Sequence, residues 1–373
     1  MVQAAEGRAL ASNAPAHNDN FVFLRTSAAL LVLVSHQHAL TGRPEPSFIG
    51  IQSWGGLGVM MFFSISGFLV TQSWLADPHA GRFAARRLLR IWPGFAVVIL
   101  LAALVLGPCL SPLPWTDYLQ HPRLLEYLNN LVFRLRDALP LQFDGSALPR
   151  AVNGSLWTIP LELQCYLALA LAAFGGWLGA RRCLATVVAG LAWAYAGWDL
   201  RGQHVLAGLG LSVEQSYLVE FGLCFFTGSV LWLYWPQWRD RRAVLLLLSL
   251  AVAACAFLLG RPVLAGLIGV PIVTIVFGSW SWPVLRRFDA LGDLSYGIYL
   301  YAFPIQQTVI ALLTQRLHWW PRLLLVLVCT LACAWLSWRL VERPALRWKP
   351  RTRRQARPAS PPLTSDAMPA LHP

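Results

Sequence analysis

The sequence predicts an all-α protein, a polytopic bundle of about ten transmembrane helices with both termini in the cytoplasm. Three observations lead to this fold class. Hydrophobic residues make up 57% of the 373-residue chain and charged residues only 13%, whereas about a quarter of a soluble domain is charged. The apolar residues fall into runs of about 20 residues, the length at which a helix crosses a bilayer. The basic residues gather between alternate runs.

The apolar runs define the predicted spans. They cover residues 21–41, 55–75, 92–110, 155–176, 183–199, 215–235, 243–260, 262–280, 291–314 and 321–341. The transmembrane domain therefore extends over 21–342. Residues 1–20 are predicted to be a polar cytoplasmic segment without a cleaved signal peptide. Residues 343–373 are predicted to be a basic, Pro-rich and disordered cytoplasmic tail.

The distribution of Lys and Arg predicts the orientation. With both termini inside, 21 of the 30 basic residues lie on the cytoplasmic side and 9 on the opposite side, as the positive-inside rule expects. The net charge of +13 thus reflects topology, and the basic residues form no single patch that would indicate nucleic acid binding. The seven cysteines include no CxxC pair and predict neither a disulfide framework nor a metal site.

Two ionisable residues of the first span share one helix face. Arg25 and His36 are eleven residues apart, which is about three turns plus 20° and about 16 Å along the axis. Ionisable side chains inside a membrane are costly and by default mark function. Spacing alone leaves alternatives, because Arg25 could snorkel to lipid headgroups and His36 could be a satisfied core histidine. His38 points about 200° away from His36, nearer the outer surface.

Glu162, in SLWTIPLELQCYL, is a second buried ionisable candidate. Its predicted depth of about 10 Å from the outer surface is close to that of His36. A carboxylate beside a histidine orients the ring and raises its basicity, and such a pair can take a proton from a hydroxyl. A purely structural hydrogen-bond role for Glu162 is the alternative.

Two further segments carry candidate binding residues. In RRLLRIWP, Arg87 and Arg90 lie one helical turn apart, and their guanidinium groups suit bidentate phosphate binding. A topological anchor is the alternative. In GLGVMMFFSISGFL, Ser66 and Gly67 fall in mid-membrane, where small residues permit either a ligand's approach or close helix packing.

Together these segments resemble acyltransferase family 3, the bacterial integral-membrane O-acyltransferases of surface polysaccharides. The likeness runs from about Phe21 to Arg347 and rests on six motifs in order. They are FLRTSAALLVLVSH, GVMMFFSISGFL, RRLLRIWP, NGSLWTIPLELQCYL, LGDLSYGIYLYAFP and VERP. Two positions depart from the family pattern. Ala302 stands where the family usually has a histidine, which His38 could replace, and Asp293 stands where a hydrophobic or basic residue is common.

The resemblance implies a reaction and its residues. His36 is then the catalytic base, oriented by Glu162, and Arg25, Arg87 and Arg90 bind the phosphates of a cytoplasmic acyl-CoA. Acetyl-CoA is the expected donor, with no metal. The acyl group goes to a glycan hydroxyl at the outer face of a bacterial inner membrane. Whether it moves directly or through an acyl-enzyme stays open.

The resemblance also suggests where the two substrates lie. The donor's pantetheine arm is about as long as the distance from Arg25 to His36, and Ser66 and Gly67 could line its path. His38, Trp157, Glu220 and the 111–154 loop are candidates for acceptor recognition. Two other classes of protein remain as alternatives. One is a proton-coupled transporter or flippase, although paired interrupted helices are not seen in the sequence; the other is a membrane scaffold.

Overall fold

A computed structural model describes residues 20–140, 142–143, 146–199, 213–313 and 316–350. These residues form a helical bundle with one small β-ribbon. The predicted cytoplasmic segment up to residue 19 and the predicted tail from residue 351 lie outside the described residues.

The helices longer than 15 residues are numbered here in chain order. They are α1 (Phe21–Leu40), α2 (Trp54–Ala76), α3 (Ala80–Leu101), α4 (Thr158–Phe174), α5 (Arg181–Asp199), α6 (Val213–Leu233), α7 (Arg242–Leu258), α8 (Pro262–Gly278), α9 (Ser295–Leu313) and α10 (Trp319–Ser337). Helix α3 continues through a π-helical turn, Ala102–Leu106, into Gly107–Leu110. Helix α10 continues in the same way through Trp338–Glu342 into Arg343–Arg347.

The remaining elements are short. Strands β1 (Ser47–Phe48) and β2 (Gln52–Ser53) pair antiparallel between α1 and α2. Short α-helices cover Trp115–Gln120, Pro122–Leu128 and Trp235–Trp238, and 3₁₀ turns cover Asn129–Val132, Arg239–Arg241 and Leu285–Leu291.

A helix lies at each of the ten predicted spans. Among the described residues, five helical stretches are long and apolar enough to cross a membrane: Trp54–Ala76, Ala80–Leu110, Trp235–Leu258, Ser295–Leu313 and Trp319–Arg347. Three shorter apolar helices are Thr158–Phe174, Tyr217–Leu233 and Pro262–Gly278. The helical membrane fold is therefore confirmed, while the count of ten spans and the side of each terminus stay predictions.

The helix that ends the membrane domain continues five residues beyond the predicted border at residue 342, and the border itself stays a prediction. Arg343–Arg347 are helical and continue α10 rather than belonging to a disordered tail. The reason lies in Glu342, which is only 2% exposed. Its carboxylate accepts a hydrogen bond from Ser337 and pairs with Arg90 of α3 at 3.4 Å. This ion pair holds the end of α10 against α3.

The centre of the bundle is built from α1, α2, α6 and α9. Helix α2 packs against both α1 and α6, and α1 also packs against α9. Glycines let the backbones of α2 and α6 touch, because a Cβ on Gly67 would lie 1.8 Å from the carbonyl oxygen of Phe225. A Cβ on Gly228 would lie 2.2 Å from the carbonyl oxygen of Ser64. Small residues serve the same purpose in other membrane helix pairs.

The segment between α3 and α4 is anchored on the π-helical end of α3. The wider π turn leaves backbone carbonyls without their usual partners. The hydroxyl of Tyr118 donates to the carbonyl oxygen of Ala103 at 2.8 Å, and the amide of Gln142 donates to that of Gly107 at 2.7 Å. The long loop is thus fixed to the bundle end at which α4 begins.

Candidate functional site

A cavity lies in the middle of the bundle, enclosed by α1, α2, α3, α4 and α9. We call it the arginine cavity. Its polar lining side chains are Arg25, Ser66, Arg87, Arg90, Thr158, Glu162, Tyr166, Ser295, Tyr296 and Tyr299. Five residues predicted from separate motifs, the three arginines with Ser66 and Glu162, thus meet in one place.

Asp293 joins two of the arginines. Its Oδ2 atom lies 3.2 Å from Nη2 of Arg25 and 2.6 Å from Nη2 of Arg90. These charges lower the pKa of Asp293 to about 2 despite its burial. The carboxylate therefore stays ionised at neutral pH and fixes the positions of both guanidinium groups.

The backbone around Asp293 explains how the loop reaches the arginines. Gly292 has φ +84°, a conformation that glycine adopts without strain. A Cβ on Gly292 would lie 2.1 Å from the indole nitrogen of Trp338, so only glycine fits there. Ser295 then donates from its hydroxyl to Asp293 at 2.5 Å at the start of α9. The sequence marked Asp293 only as a departure from a family pattern and gave no sign of this ion pair.

Arg87 differs from its two neighbours, because it forms no ion pair among the described residues. Its guanidinium lies 5.9 Å from the ring centres of Phe83 and Tyr166, and it donates a long 3.5 Å hydrogen bond to Ser73. The Nε atoms of Arg87 and Arg25 are both buried without a hydrogen-bond partner. Buried guanidinium N–H groups without partners are costly, and an anion entering the arginine cavity would satisfy them.

Lys349 adds a further cation beside the arginines. Burial and, to a smaller extent, the charges of Arg87, Arg90, Arg86 and Arg25 together lower the pKa of Lys349 to about 8. The lysine therefore lies within the electrostatic influence of these arginines. From the sequence, Lys349 is predicted to belong to the disordered tail.

Glu162 also lines the arginine cavity. Its carboxylate accepts a hydrogen bond from Ser66 at 2.7 Å and another from the hydroxyl of Tyr166. Tyr299 also lines the cavity. Its hydroxyl lies 2.6 Å from that of Thr158 and donates to the carbonyl oxygen of Ser155 at 2.8 Å. The cavity therefore has a cationic end and a wall of hydroxyl groups.

His36 is not part of this hydrogen-bonded set, so the expected pair of His36 and Glu162 stays a prediction that these contacts do not support. Among the described residues, no hydrogen bond joins the two side chains, and the Nδ1 atom of His36 is buried without a partner. The imidazole packs edge-on against Phe303 at 5.2 Å between ring centres. The carboxylate that acts on it electrostatically is Glu45, which the sequence analysis did not select.

His38 does not take the place of the missing family histidine. Its ring packs against Trp319 at 4.9 Å, and its Nδ1 atom lies 3.1 Å from the carbonyl oxygen of Pro44. Ala302, at the position of that histidine, is buried in an apolar cluster with Ala29. The helix face on which Ala302 lies is therefore packed with small and apolar side chains.

Gly67 is the second predicted site residue that lies elsewhere. It is absent from the arginine cavity and packs against the backbone of Phe225. The packing alternative is therefore the one that the geometry supports for Gly67, whereas Ser66 next to it faces the cavity.

Trp157 packs against the helix α6 that carries Glu220. The ring of Trp157 is 5.1 Å from that of Tyr217 and 6.0 Å from that of Phe221. The carboxylate of Glu220 accepts a hydrogen bond from the amide of Gln52 at 3.0 Å. Aromatic faces beside a carboxylate and an amide can bind a polar ligand that also has apolar faces.

The described residues contain no group of three or more His, Cys, Asp or Glu side chains placed to hold a metal ion.

The fold and the arginine cavity define a helical integral membrane protein with arginine side chains in its interior. A family model described as "Acyltransferase domain" matches residues 18–339, and the chain belongs to this family, acyltransferase family 3. The resemblance inferred from the motifs is confirmed, and the chain is a membrane acyltransferase.

Curated relatives agree with the family. The chain is 30% identical to the "O-acetyl transferase" of Shigella phage Sf6 over 88% of its length and 96% of the relative's. It is 29% identical to "Nodulation protein 10" of Rhizobium leguminosarum bv. viciae, over 89% and 94%. It is 26% identical to "Peptidoglycan O-acetyltransferase OatA" of Listeria monocytogenes, over 78% of this chain and 52% of that protein. No solved structure matches the chain.

Proposed function

We propose that this protein is an O-acetyltransferase that moves an acetyl group from cytoplasmic acetyl-CoA to a glycan hydroxyl at the outer face of the bacterial inner membrane. The observation that carries the proposal is the meeting of Arg25, Arg87 and Arg90 in the arginine cavity, with Lys349 close enough for their charges to act on it. The relatives named as O-acetyltransferases support the acetyl group and the hydroxyl acceptor.

The cationic end suits the phosphates of the donor. Arginine binds phosphate bidentately, and charge-assisted hydrogen bonds are among the strongest in proteins. The unpartnered Nε–H groups of Arg25 and Arg87 are the donors that a phosphate would satisfy. In this proposal the nucleotide part of acetyl-CoA stays at the cytoplasmic end, where the positive-inside rule puts these residues.

The pantetheine arm would run along the wall of hydroxyl groups. Ser66 and Tyr166 already bond to Glu162, and a carboxylate held in this way can accept a hydrogen bond from an amide N–H of the arm. Glu162 thus serves donor binding in this proposal rather than orienting His36. Phe303 lies against His36 and would border the last part of the path.

His36 acts as the base. As the acceptor oxygen attacks the thioester carbonyl carbon, its proton passes to the imidazole. A carbon–oxygen bond forms, the carbon–sulfur bond breaks, and the proton passes on to the coenzyme A thiolate. Trp157 and Glu220, with the aromatic ring of Tyr217 beside them, are proposed to bind the glycan, together with His38 and the 111–154 loop.

The experiment is acetyl-CoA binding and thiol release by the purified protein in nanodiscs. Wild type is compared with Arg25→Ala, His36→Ala and Glu162→Ala. We expect Arg25→Ala and Glu162→Ala to weaken binding, and His36→Ala to bind normally without turnover. A wild type that neither binds nor cleaves acetyl-CoA would contradict the proposal.

A further inference from the structure

A carboxylate that belongs to no sequence motif lies beside His36. Glu45 follows α1 in the segment that leads to β1, and its side chain is largely exposed. The hydroxyl of Ser35, the residue just before His36, donates a hydrogen bond to its Oε2 atom. Ser35 is fully buried, so this contact fixes the carboxylate at the end of α1 on which the proposed base lies.

The backbone on both sides of Glu45 is fixed as well. Its neighbours are Pro44 and Pro46, whose rings restrict φ. The carbonyl oxygen of Pro44 lies 3.1 Å from Nδ1 of His38, and the backbone N–H of Trp54 donates to the carbonyl oxygen of Pro46 at 2.9 Å. The segment is therefore attached to α1 on one side of Glu45 and to α2 on the other.

Helix α2 leaves space for this contact. A Cβ on Gly55 would lie 3.0 Å from Oγ of Ser35 and 3.6 Å from Oε2 of Glu45. The first of these distances is tighter than ordinary van der Waals contact. A glycine at this position thus permits the Ser35–Glu45 hydrogen bond next to the start of α2.

The surroundings of His36 lack any other described source of negative charge. Its Nδ1 atom has no hydrogen-bond partner, and its ring packs against Phe303. Glu45 is the charged group that acts on the ring, while Glu162 is engaged with Ser66 and Tyr166. A base that becomes positively charged during the reaction needs a nearby negative charge, because a buried unpaired cation is unfavourable.

We propose that Glu45 is a positioning residue of the acetyl transfer: held by Ser35, its carboxylate stabilises the imidazolium that forms when His36 takes the proton of the attacking hydroxyl. The inference rests on the proposed function. It assigns to Glu45 the electrostatic role that the sequence had suggested for Glu162. The carboxylate itself takes up no proton in this step and forms no bond to the substrates.

The test uses the full chain in nanodiscs with acetyl-CoA as the donor and water as the acceptor. Glu45→Gln keeps an oxygen that can accept from Ser35 but removes the charge. We expect kcat for thiol release to fall about tenfold, or about 1.4 kcal/mol, with the KM for acetyl-CoA unchanged. Glu45→Asp should retain more activity than Glu45→Gln. Added formate should restore part of the activity of Glu45→Ala, since the side chain is accessible from solvent.

The control is Asp240→Asn, which removes a carboxylate that is 82% exposed and far from this segment in sequence. It should behave as wild type. Three results would each overturn the role of Glu45. Glu45→Gln could keep the wild-type kcat, formate could fail to rescue Glu45→Ala, or Glu45→Gln could lose both acetyl-CoA binding and thermal stability. In those cases an inactive His36→Ala would leave the proposed function standing. A wild type that cleaves no acetyl-CoA would instead overturn the proposed function itself.

Discussion

The Oδ2 atom of Asp293 lies 2.6 Å from Nη2 of Arg90 inside the bundle, and the same oxygen also reaches Arg25. Two of the arginines proposed to bind the donor's phosphates thus already have a protein carboxylate between them. In a site of low dielectric, this carboxylate orients the guanidinium groups and also repels an incoming phosphate. Replacing Asp293 therefore measures which effect is larger, the orientation of the guanidinium groups or the repulsion of the phosphate.

We predict that Asp293→Asn binds acetyl-CoA about threefold to tenfold more tightly, a gain of about 0.7–1.4 kcal/mol. The amide keeps the size of the carboxylate and an oxygen that accepts from Ser295, so the start of α9 is preserved. The variant without ligand should lose about 1–2 kcal/mol of stability, because two partly buried cations lose their shared counter-ion. Thermal unfolding with and without acetyl-CoA measures both effects; weaker binding would mean that orientation dominates.

The lowered pKa of Lys349 leads us to expect that donor binding depends on pH. Its pKa is lowered to about 8, so the lysine is charged below that pH and becomes neutral as the pH rises through it. Because an anion binds the charged form better, and binding itself raises the pKa, acetyl-CoA affinity should fall between about pH 8 and 9.5. Asp293 stays ionised throughout this range, since its pKa is about 2.

Two variants distinguish the effect of Lys349 on the pH dependence of binding from the effects of other titrating groups. Lys349→Met should bind acetyl-CoA more weakly at pH 7 and should lose most of the decline above pH 8. Lys349→Arg should keep the affinity of neutral pH up to pH 9.5, because a guanidinium does not titrate there. Isothermal titration at a series of pH values is the measurement, and an unchanged decline in Lys349→Met would contradict the assignment.

Arg87 is expected to contribute most directly to phosphate binding, because it forms no ion pair among the described residues. Arg87→Gln should raise the Kd for acetyl-CoA by about tenfold or more, the loss expected for a charge-assisted hydrogen bond. Arg82→Gln is the matched control on the same helix. Arg82 already pairs bidentately with Asp77 at 2.9 and 2.5 Å, so its removal should leave the Kd unchanged. Equal effects of the two variants would argue against a specific site.

The sequence predicted several lining residues of the arginine cavity because these residues lie on helices. Helical periodicity and depth place Arg25, Arg87, Arg90, Ser66 and Glu162 correctly toward one interior. All five line the arginine cavity. Lining residues that come from five different helices become neighbours only through the packing, yet five of the ten polar ones were predicted from the motifs.

The contacts of His36 do not support its predicted partner Glu162, and the reason is physical. Equal depth in a membrane says nothing about which helices are neighbours. Helix α4, which carries Glu162, contacts α2 and α6, whereas α1, which carries His36, packs against α2 and α9. Glu45 and Asp293 lie in loops, where spacing along the chain fixes neither position nor direction. Such contacts become visible only in three dimensions.

Gly67 tests the distinction between a packing residue and a binding residue. A Cβ on Gly67 would lie 1.8 Å from the carbonyl oxygen of Phe225, so Gly67→Ala forces α2 and α6 apart. We expect a loss of about 1–3 kcal/mol of stability or more, the usual cost of an overpacked core.

Gly222→Ala on α6 is the control. No atom lies within 4 Å of a Cβ there, and the more helix-prone alanine should be neutral or stabilising by up to about 1 kcal/mol. Thermal unfolding in nanodiscs gives the comparison. If Gly67→Ala were as stable as Gly222→Ala but bound acetyl-CoA more weakly, Gly67 would belong to the donor site after all.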